Sequence, residues 1–186
     1  MAITKINADA MDLTDAYAFT GTVTGAGGGK ILQVSSVTKT DTTSLTGMTW
    51  TDISGLTLTL TSSAANTKFL ITLYCYISLN YGNYSGGVRI MRDSTAISIG
   101  DQGGSNRQRA TVWNWSENDN SRQRQAFCMT HLDAPSLNAS TSVTYKLQWM
   151  GGYSNQTIYL NRGHNDTDNN YSGRGTSSLT VMEVAV

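Results

Sequence analysis

The sequence predicts an all-β fold: a jelly-roll β-sandwich of about ten antiparallel strands, trimeric, behind a short extended or weakly helical N-terminal arm. Three observations predict it. Thr, Val, Ile and Tyr are frequent while Pro135 is the only proline of 186 residues, a mixture that suits pleated, half-buried strands better than helices. Apolar and polar residues alternate with period two, as in Leu56-Thr57-Leu58-Thr59-Leu60-Thr61 and Val143-Thr144-Tyr145-Lys146-Leu147-Gln148-Trp149. Turn material such as Ser85-Gly86-Gly87, Asp101-Gln102-Gly103-Gly104 and Gly151-Gly152 separates such runs at near-regular intervals. The length suits one sandwich with its own core, so the chain divides into an arm and hinge at 1–29 and a head domain at 30–186.

The arm comes first. Ile3, Ile6, Ala10, Leu13 and Tyr17 have the spacing of a short amphipathic helix, but Thr4, Asn7, Asp9, Asp12, Thr14 and Asp15 weaken it. Phe19 to Gly29 reads as an extended strip ending in a glycine hinge. Such a segment either becomes ordered against a partner or packs on its own domain. Strand candidates follow at 30–38, 46–53, 56–61, 67–81, 87–93, 95–100, 107–116, 121–132, 143–149, 155–162 and 176–186.

The 67–81 strand is apolar on both faces. Phe69, Ile71, Leu73, Cys75, Ile77, Leu79 and Tyr81 make a complete core face, yet Leu70, Tyr74 and Tyr76 lie on the other. A sandwich covers one face of each sheet, so the second needs another subunit or cover from within the chain. The last strand, with Val181 and Val184, reads as two-sided in the same way. Leu70, Tyr74, Tyr76, Val181 and Val184 are therefore candidates for a subunit interface.

Composition narrows the function classes. Charged residues are 14% of the chain and the formal net charge is zero, so the footprint of a nucleic-acid or anionic-membrane partner is missing. A surface hydrated by Ser, Thr, Asn, Gln and Gly suits sugars and other proteins. Residues 1–20 lack the apolar core of a signal peptide, and no stretch approaches the ~18 to 20 apolar residues of a membrane helix. The expectation is a protein made in the cytosol without membrane insertion. Cys75 and Cys128 sit in apolar strand patterns and read as buried free thiols.

Catalytic signatures fail on inspection. The Gly25–Lys30 run has Thr24 where a phosphate loop needs its first glycine, and Ile31 follows the lysine. His131 and His164 are the only imidazoles, and no spacing sets either beside a nucleophile and an acid. Asp101, Glu117, Asp119 and Asp133 fall in expected turns without a facing pair, as glycoside hydrolysis would need. We expect no enzyme, no cofactor and no metal. The weak metal candidates are His164, Asp166 and Asp168, which alternate in a loop tip rich in Asn and Gly.

Binding candidates are aromatic and cationic. If 116–120 is a hairpin turn, Trp113 and Trp115 fall opposite Arg124 and Arg122, on a face that continues through Arg107, Arg109 and Thr111. The patch reads either as a receptor or glycan surface or as a structural ladder in a subunit contact. Tyr81, Tyr84, Tyr153 and Tyr171 are further candidates for stacking on sugar rings.

Residues spread over most of the chain carry a family resemblance. Ala2-Ile3-Thr4-Lys5-Ile6, the Phe19–Gly29 strip, Lys30-Ile31-Leu32-Gln33-Val34, the run Arg89 to Gly100 and the closing Ser177 to Glu183 resemble small tail-fibre or virion surface proteins of marine bacteriophages. The resemblance implies a trimeric jelly-roll head similar to those of complement and tumour-necrosis-factor proteins, its inner sheet against a threefold axis and its distal loops facing a host. It implies location on the virion, attachment to other virion proteins through residues 1–29, and a host glycan or receptor as a possible partner. With almost no shaft between arm and head, the chain is closer to a short appendage, head fibre or capsid decoration than to a long fibre. A free carbohydrate-binding module is the rival reading, and a polysaccharide depolymerase a more distant one.

Overall fold

The structure is a computed structural model that describes residues 30–80, 84–116 and 124–186, with the side chains of Trp115 and Ser116 outside the description. The arm at 1–29, Tyr81 and Arg122 therefore lie outside the described residues. Among the described residues eleven strands run in order: β1 (Ile31–Lys39), β2 (Thr43–Thr46), β3 (Thr51–Thr61), β4 (Lys68–Leu79), β5 (Tyr84–Arg92), β6 (Thr95–Ile97), β7 (Val112–Ser116), β8 (Gln125–Asp133), β9 (Ser142–Gly151), β10 (Thr157–Leu160) and β11 (Ser177–Val184). No helix occurs among the described residues.

The strands form two antiparallel sheets. In the first, β8 pairs with one edge of β4, whose other edge is shared by β11 along Lys68–Tyr74 and β10 along Ile77–Leu79. Beyond these, β1 pairs with β11 and β2 with β10. The second sheet runs β3, β9, β5, and the far edge of β5 is shared by β6 and β7. Successive strands switch sheets, from β3 to β4, β4 to β5, β7 to β8, β8 to β9 and β9 to β10. This is the jelly roll expected from the sequence.

The core lies between the sheets. Phe69, Ile71, Leu73, Cys75, Ile77, Leu79, Ile158, Leu160, Leu179 and Val181 come from the first; Ile53, Leu56, Leu60, Val88, Ile90, Val143, Tyr145, Leu147 and Trp149 face them from the second. Near one end Arg92 and Tyr145 of the second sheet both reach Asp133 of the first. Arg92 Nη1 donates to both carboxylate oxygens at 2.8 and 3.0 Å, and the Tyr145 hydroxyl donates at 2.8 Å.

Several expected boundaries moved, each for a local reason. The 46–53 candidate breaks at 47–50, so that β2 joins the first sheet and β3 the second. The candidate at 56–61 is not separate but continues β3 past Gly55. Gly55 has φ +85°, and the register slips between Asp52 and Thr57. That bulge turns both odd-numbered Ile53 and even-numbered Leu56 and Leu60 inward. The 107–116 candidate is strand only from Val112.

Two further expectations need correction. Val181 is fully enclosed between the sheets opposite Ile71, because the odd residues of β11 face the core; it cannot serve an outer interface. Cys75 is buried as expected, but Cys128 is exposed, since its position on β8 points away from the core.

Candidate functional site

The first candidate surface is the outer face of the β8–β4–β11–β1 sheet. Strand register aligns Leu132, Leu70, Met182 and Val34 across the four strands. Leu132 is 50% and Val34 56% exposed, with Leu70 and Met182 half-buried between them. The next row is Thr130, Thr72, Thr180 and Ser36, whose hydroxyls pair at 3.4 Å for Thr72 with Thr130 and 2.8 Å for Ser36 with Thr180. The third row is Cys128, Tyr74, Ser178 and Thr38, with Tyr74 37% exposed. These three rows carry no charge.

Of the interface candidates, Leu70, Tyr74 and Val184 lie on this outer side, and Val181 does not. Tyr76 is covered within the chain: its ring packs against Gly175, where an added Cβ would come within 2.8 Å of ring carbon Cγ. Gly175 is held there by its N–H donating to Asn161 O, and Asn161 N–H donates to Tyr76 O. Cover from within the chain is thus found for Tyr76, while Leu70 and Tyr74 stay on the open outer face.

The expected Arg–Trp hairpin is not formed. β7 pairs with β5 and β8 with β4, so the two strands belong to different sheets. Trp113 stands opposite Gly87, and Trp115 opposite Ser85. Arg124 packs its guanidinium against Gly163 and donates to Tyr171 O at 3.1 Å. Among the described residues, the outer face of the second sheet carries a different cation–π contact, Arg89 over Trp50 at 4.4 Å. Arg89 also donates to Gln148, and Gln148 and Lys146 reach Asp52, whose carboxyl is held below its ordinary range chiefly by Lys146.

The indole of Trp113 lies across Gly87. A Cβ at Gly87 would press into the ring and would sit 2.9 Å from Val112 O, so only glycine permits this placement. Trp113 is 39% exposed and lines a cleft of about 440 Å³ with Met48, Asn106, Arg107, Gln108 and Gly152. Sequence reasoning named Trp113 and Arg107 but missed Met48, Asn106, Gln108, Gly87 and Gly152. They come from separate loops and from β5, and the Ser85-Gly86-Gly87 run expected to be a turn lies instead within β5, as Gly151 lies at the end of β9.

Tyr153 is exposed and meets Tyr84 edge-on, ring centres 5.4 Å apart, while Tyr171 is well exposed on the loop after β10. The metal candidates separate. His164 Nδ1 lies 3.1 Å from the Tyr159 hydroxyl, and Asp166 is bound bidentately by Arg174 at 2.6 and 3.1 Å, which holds its carboxyl below the ordinary range. Asp168 lines a polar cleft of about 350 Å³ with Asp166, Thr167, Ser172 and Arg174. Among the described residues no three His, Cys, Asp or Glu side chains converge on one point.

No protein-family model matches the chain, and no curated protein does. Among solved structures the chain is similar to a chain in the structure of infectious bursal disease virus Gx strain, at 14% identity and TM-score 0.37, covering 83% of this chain. It spans 37% of that viral chain. Eiger TNF from S. frugiperda is similar at 8% identity and TM-score 0.32, over 82% of this chain and 93% of that one. The tripod (BppUct-A-L) from the baseplate of bacteriophage Tuc2009 is similar at 14% identity and TM-score 0.23, over 100% of this chain and 83% of that one. The jelly roll itself is read from this chain's own strand register.

Proposed function

We propose that the chain is a non-enzymatic structural protein of a bacteriophage particle: a homotrimer whose heads pack through the outer face of the β8–β4–β11–β1 sheet. Residues 1–29 attach it to other virion proteins. The loops at the far end of the head meet a host glycan or receptor, or cover the shell.

The observation that carries this reading is the apolar row Leu132, Leu70, Met182, Val34, with the two uncharged rows through Thr72 and Tyr74 on one side of it and Lys68 beside Val184 at the edge on the other. Around a threefold axis the residues nearest the axis meet their own copies, so a charge there would meet its like. This face has an apolar row to bury and, next to it, a hydroxyl row whose members already pair, Thr72 with Thr130 and Ser36 with Thr180. The polarity of the head also fits. Residue 30 and the chain end lie beside Lys68, at the end of β4 opposite Leu79, where the loops bearing Tyr153 and Tyr171 emerge. The absence of catalysis is proposed because the groups best able to act are engaged: Asp133 by Arg92 and Tyr145, His164 beside Tyr159.

The test is a light-scattering mass on the purified chain with and without Leu70→Lys. A trimer that the substitution converts to folded monomers supports the reading. A wild-type monomer that persists at high concentration overturns it. Deleting residues 1–29 should leave a folded trimer that no longer associates with particles, and released oligosaccharide from host surface polysaccharide would show the non-enzymatic assignment to be wrong.

A further inference from the structure

We infer that the cleft over Gly87 and Gly152 binds an acidic saccharide, with the Trp113 indole beneath one sugar ring and Arg107 paired to its carboxylate. The inference names the chemistry of the host ligand and so rests on the reading of this head as a host-facing module.

The site is built by the backbone. Gly87 lets the indole lie across β5, and Gly152 lets the turn after β9 approach Ser85, where a Cβ would meet Ser85 O at 2.9 Å. The Gly152 N–H donates both to Ser85 O at 2.7 Å and to Gln156 Oε1 at 2.9 Å, which fixes that turn. A half-exposed indole on a fixed backbone offers a flat apolar surface of the shape that the C–H face of a pyranose covers. The exposed Met48 borders it, and the amides of Asn106 and Gln108 supply both donors and acceptors for ring hydroxyls. An apolar platform with a few convergent polar groups is the usual make-up of a small-ligand site, and about 440 Å³ falls at the lower end of such sites.

The acidity of the ligand follows from the charges. Among the described residues, Arg107 is the only charged one lining the cleft. Its guanidinium has no salt-bridge partner among the described residues, Asp101 of the same loop included. Arg109, two residues on, is by contrast engaged: its Nε donates to Gly100 O at 2.8 Å and ties the 100–109 loop together. A guanidinium fork matches a carboxylate with two parallel hydrogen bonds, and none of the described lining residues is an acid that would repel one. The cleft lies on the sheet opposite the proposed subunit face, so it stays open in a trimer.

The test is isothermal titration of the full chain with three acidic probes, tetragalacturonate, a hyaluronan tetrasaccharide and sialyllactose, against the neutral probes cellotetraose, maltotetraose and lactose. At least one acidic probe should bind with a dissociation constant on the order of millimolar or tighter. Trp113→Ala should weaken that binding by about tenfold or more, and Arg107→Ala should remove the preference for acidic over neutral probes. Arg107 sits on an exposed loop, so its variant folds whatever Trp113→Ala does. Binding of none of the acidic probes, equal binding of neutral ones, or binding indifferent to both substitutions would overturn the inference. Light-scattering mass on the same samples separates the outcomes: a trimer that ignores every saccharide sinks the cleft alone, and a monomer that binds them sinks the assembly alone.

Discussion

The Thr67 hydroxyl donates a 2.7 Å hydrogen bond to Oε1 of Glu183, inside the protein, where neither side chain is accessible to solvent. Ser63 donates through its N–H to the same oxygen and through its hydroxyl to Oε2, both at 2.8 Å, and Gln33 Nε2 donates to Oε2 at 2.5 Å. One carboxylate thus joins β1, the turn before β4 and the end of β11. Burial pushes the Glu183 carboxyl up, but the donors from Thr67, Gln33 and Ser63 outweigh it and hold it below the ordinary value of 4.5. Because the folded value is the lower one, the stability it contributes is complete above the unfolded value and fades as pH falls through the folded one. Denaturant midpoints measured downward from pH 7 should therefore fall in the acid range. Glu183→Gln, which sets an amide N–H₂ against donors, should cost about 1–3 kcal/mol at pH 7 and lose that part of the acid dependence.

Asp133 is the second buried carboxylate, and its partners come from the opposite sheet. Burial first, then the hydrogen bond to Asp133, drives the Tyr145 phenol far above its ordinary range, so it stays a donor at any working pH. Tyr145→Phe should cost about 1 kcal/mol, since Arg92 still satisfies the carboxylate. Asp133→Ala should cost about 3 kcal/mol or more, because it strands a guanidinium and a buried hydroxyl together. A double-mutant cycle in urea should show the two changes to be strongly non-additive.

Much of this fold was legible because period-two alternation reports directly which residues face a core. The β4 core face from Phe69 to Leu79 and the β9 face from Val143 to Trp149 stand as read. Where the phase slipped, between Ile53 and Leu56, the slip was visible but its cause was not, because a bulge and a strand break look alike until the pairing partner is known. The candidate site was less legible. Trp113 and Arg124 looked like neighbours because hairpins are the shortest way to join strands, but the chain changes sheets there, and Trp113 instead meets Gly87. The side chains that complete the cleft come from loops near residues 48, 106 and 152, which no local pattern links.

The bulge makes its own prediction. Gly55 at φ +85° is in the left-handed region, and the Lys39 side chain lies 3.7 Å from where a Cβ would stand. Space is therefore sufficient, and the penalty is conformational. Gly55→Ala should cost about 1 kcal/mol, and a β-branched Gly55→Val distinctly more, by strain at φ > 0. Thermal denaturation of both variants should rank them in that order. Equal, negligible losses would mean that β3 can re-register without its bulge.

The two cysteines provide a chemical reading of the proposed assembly. Burial pushes the Cys75 thiol up to about 12, so at neutral pH it is neither ionised nor reachable and should not alkylate in the folded protein. Cys128 is exposed in the isolated chain and stands beside Tyr74, one row from Thr72 and two from Leu70. If copies of the chain cover this face, maleimide should label Cys128 slowly in the assembled wild type and rapidly in the Leu70→Lys variant, with Cys75 silent in both. Mass spectrometry of the labelled chain distinguishes the sites. Rapid labelling of Cys128 in a sample whose scattering mass is trimeric would count against this face as the trimer contact, because Cys128 shares the outer face with the Leu132–Val34 row and stands two rows from it.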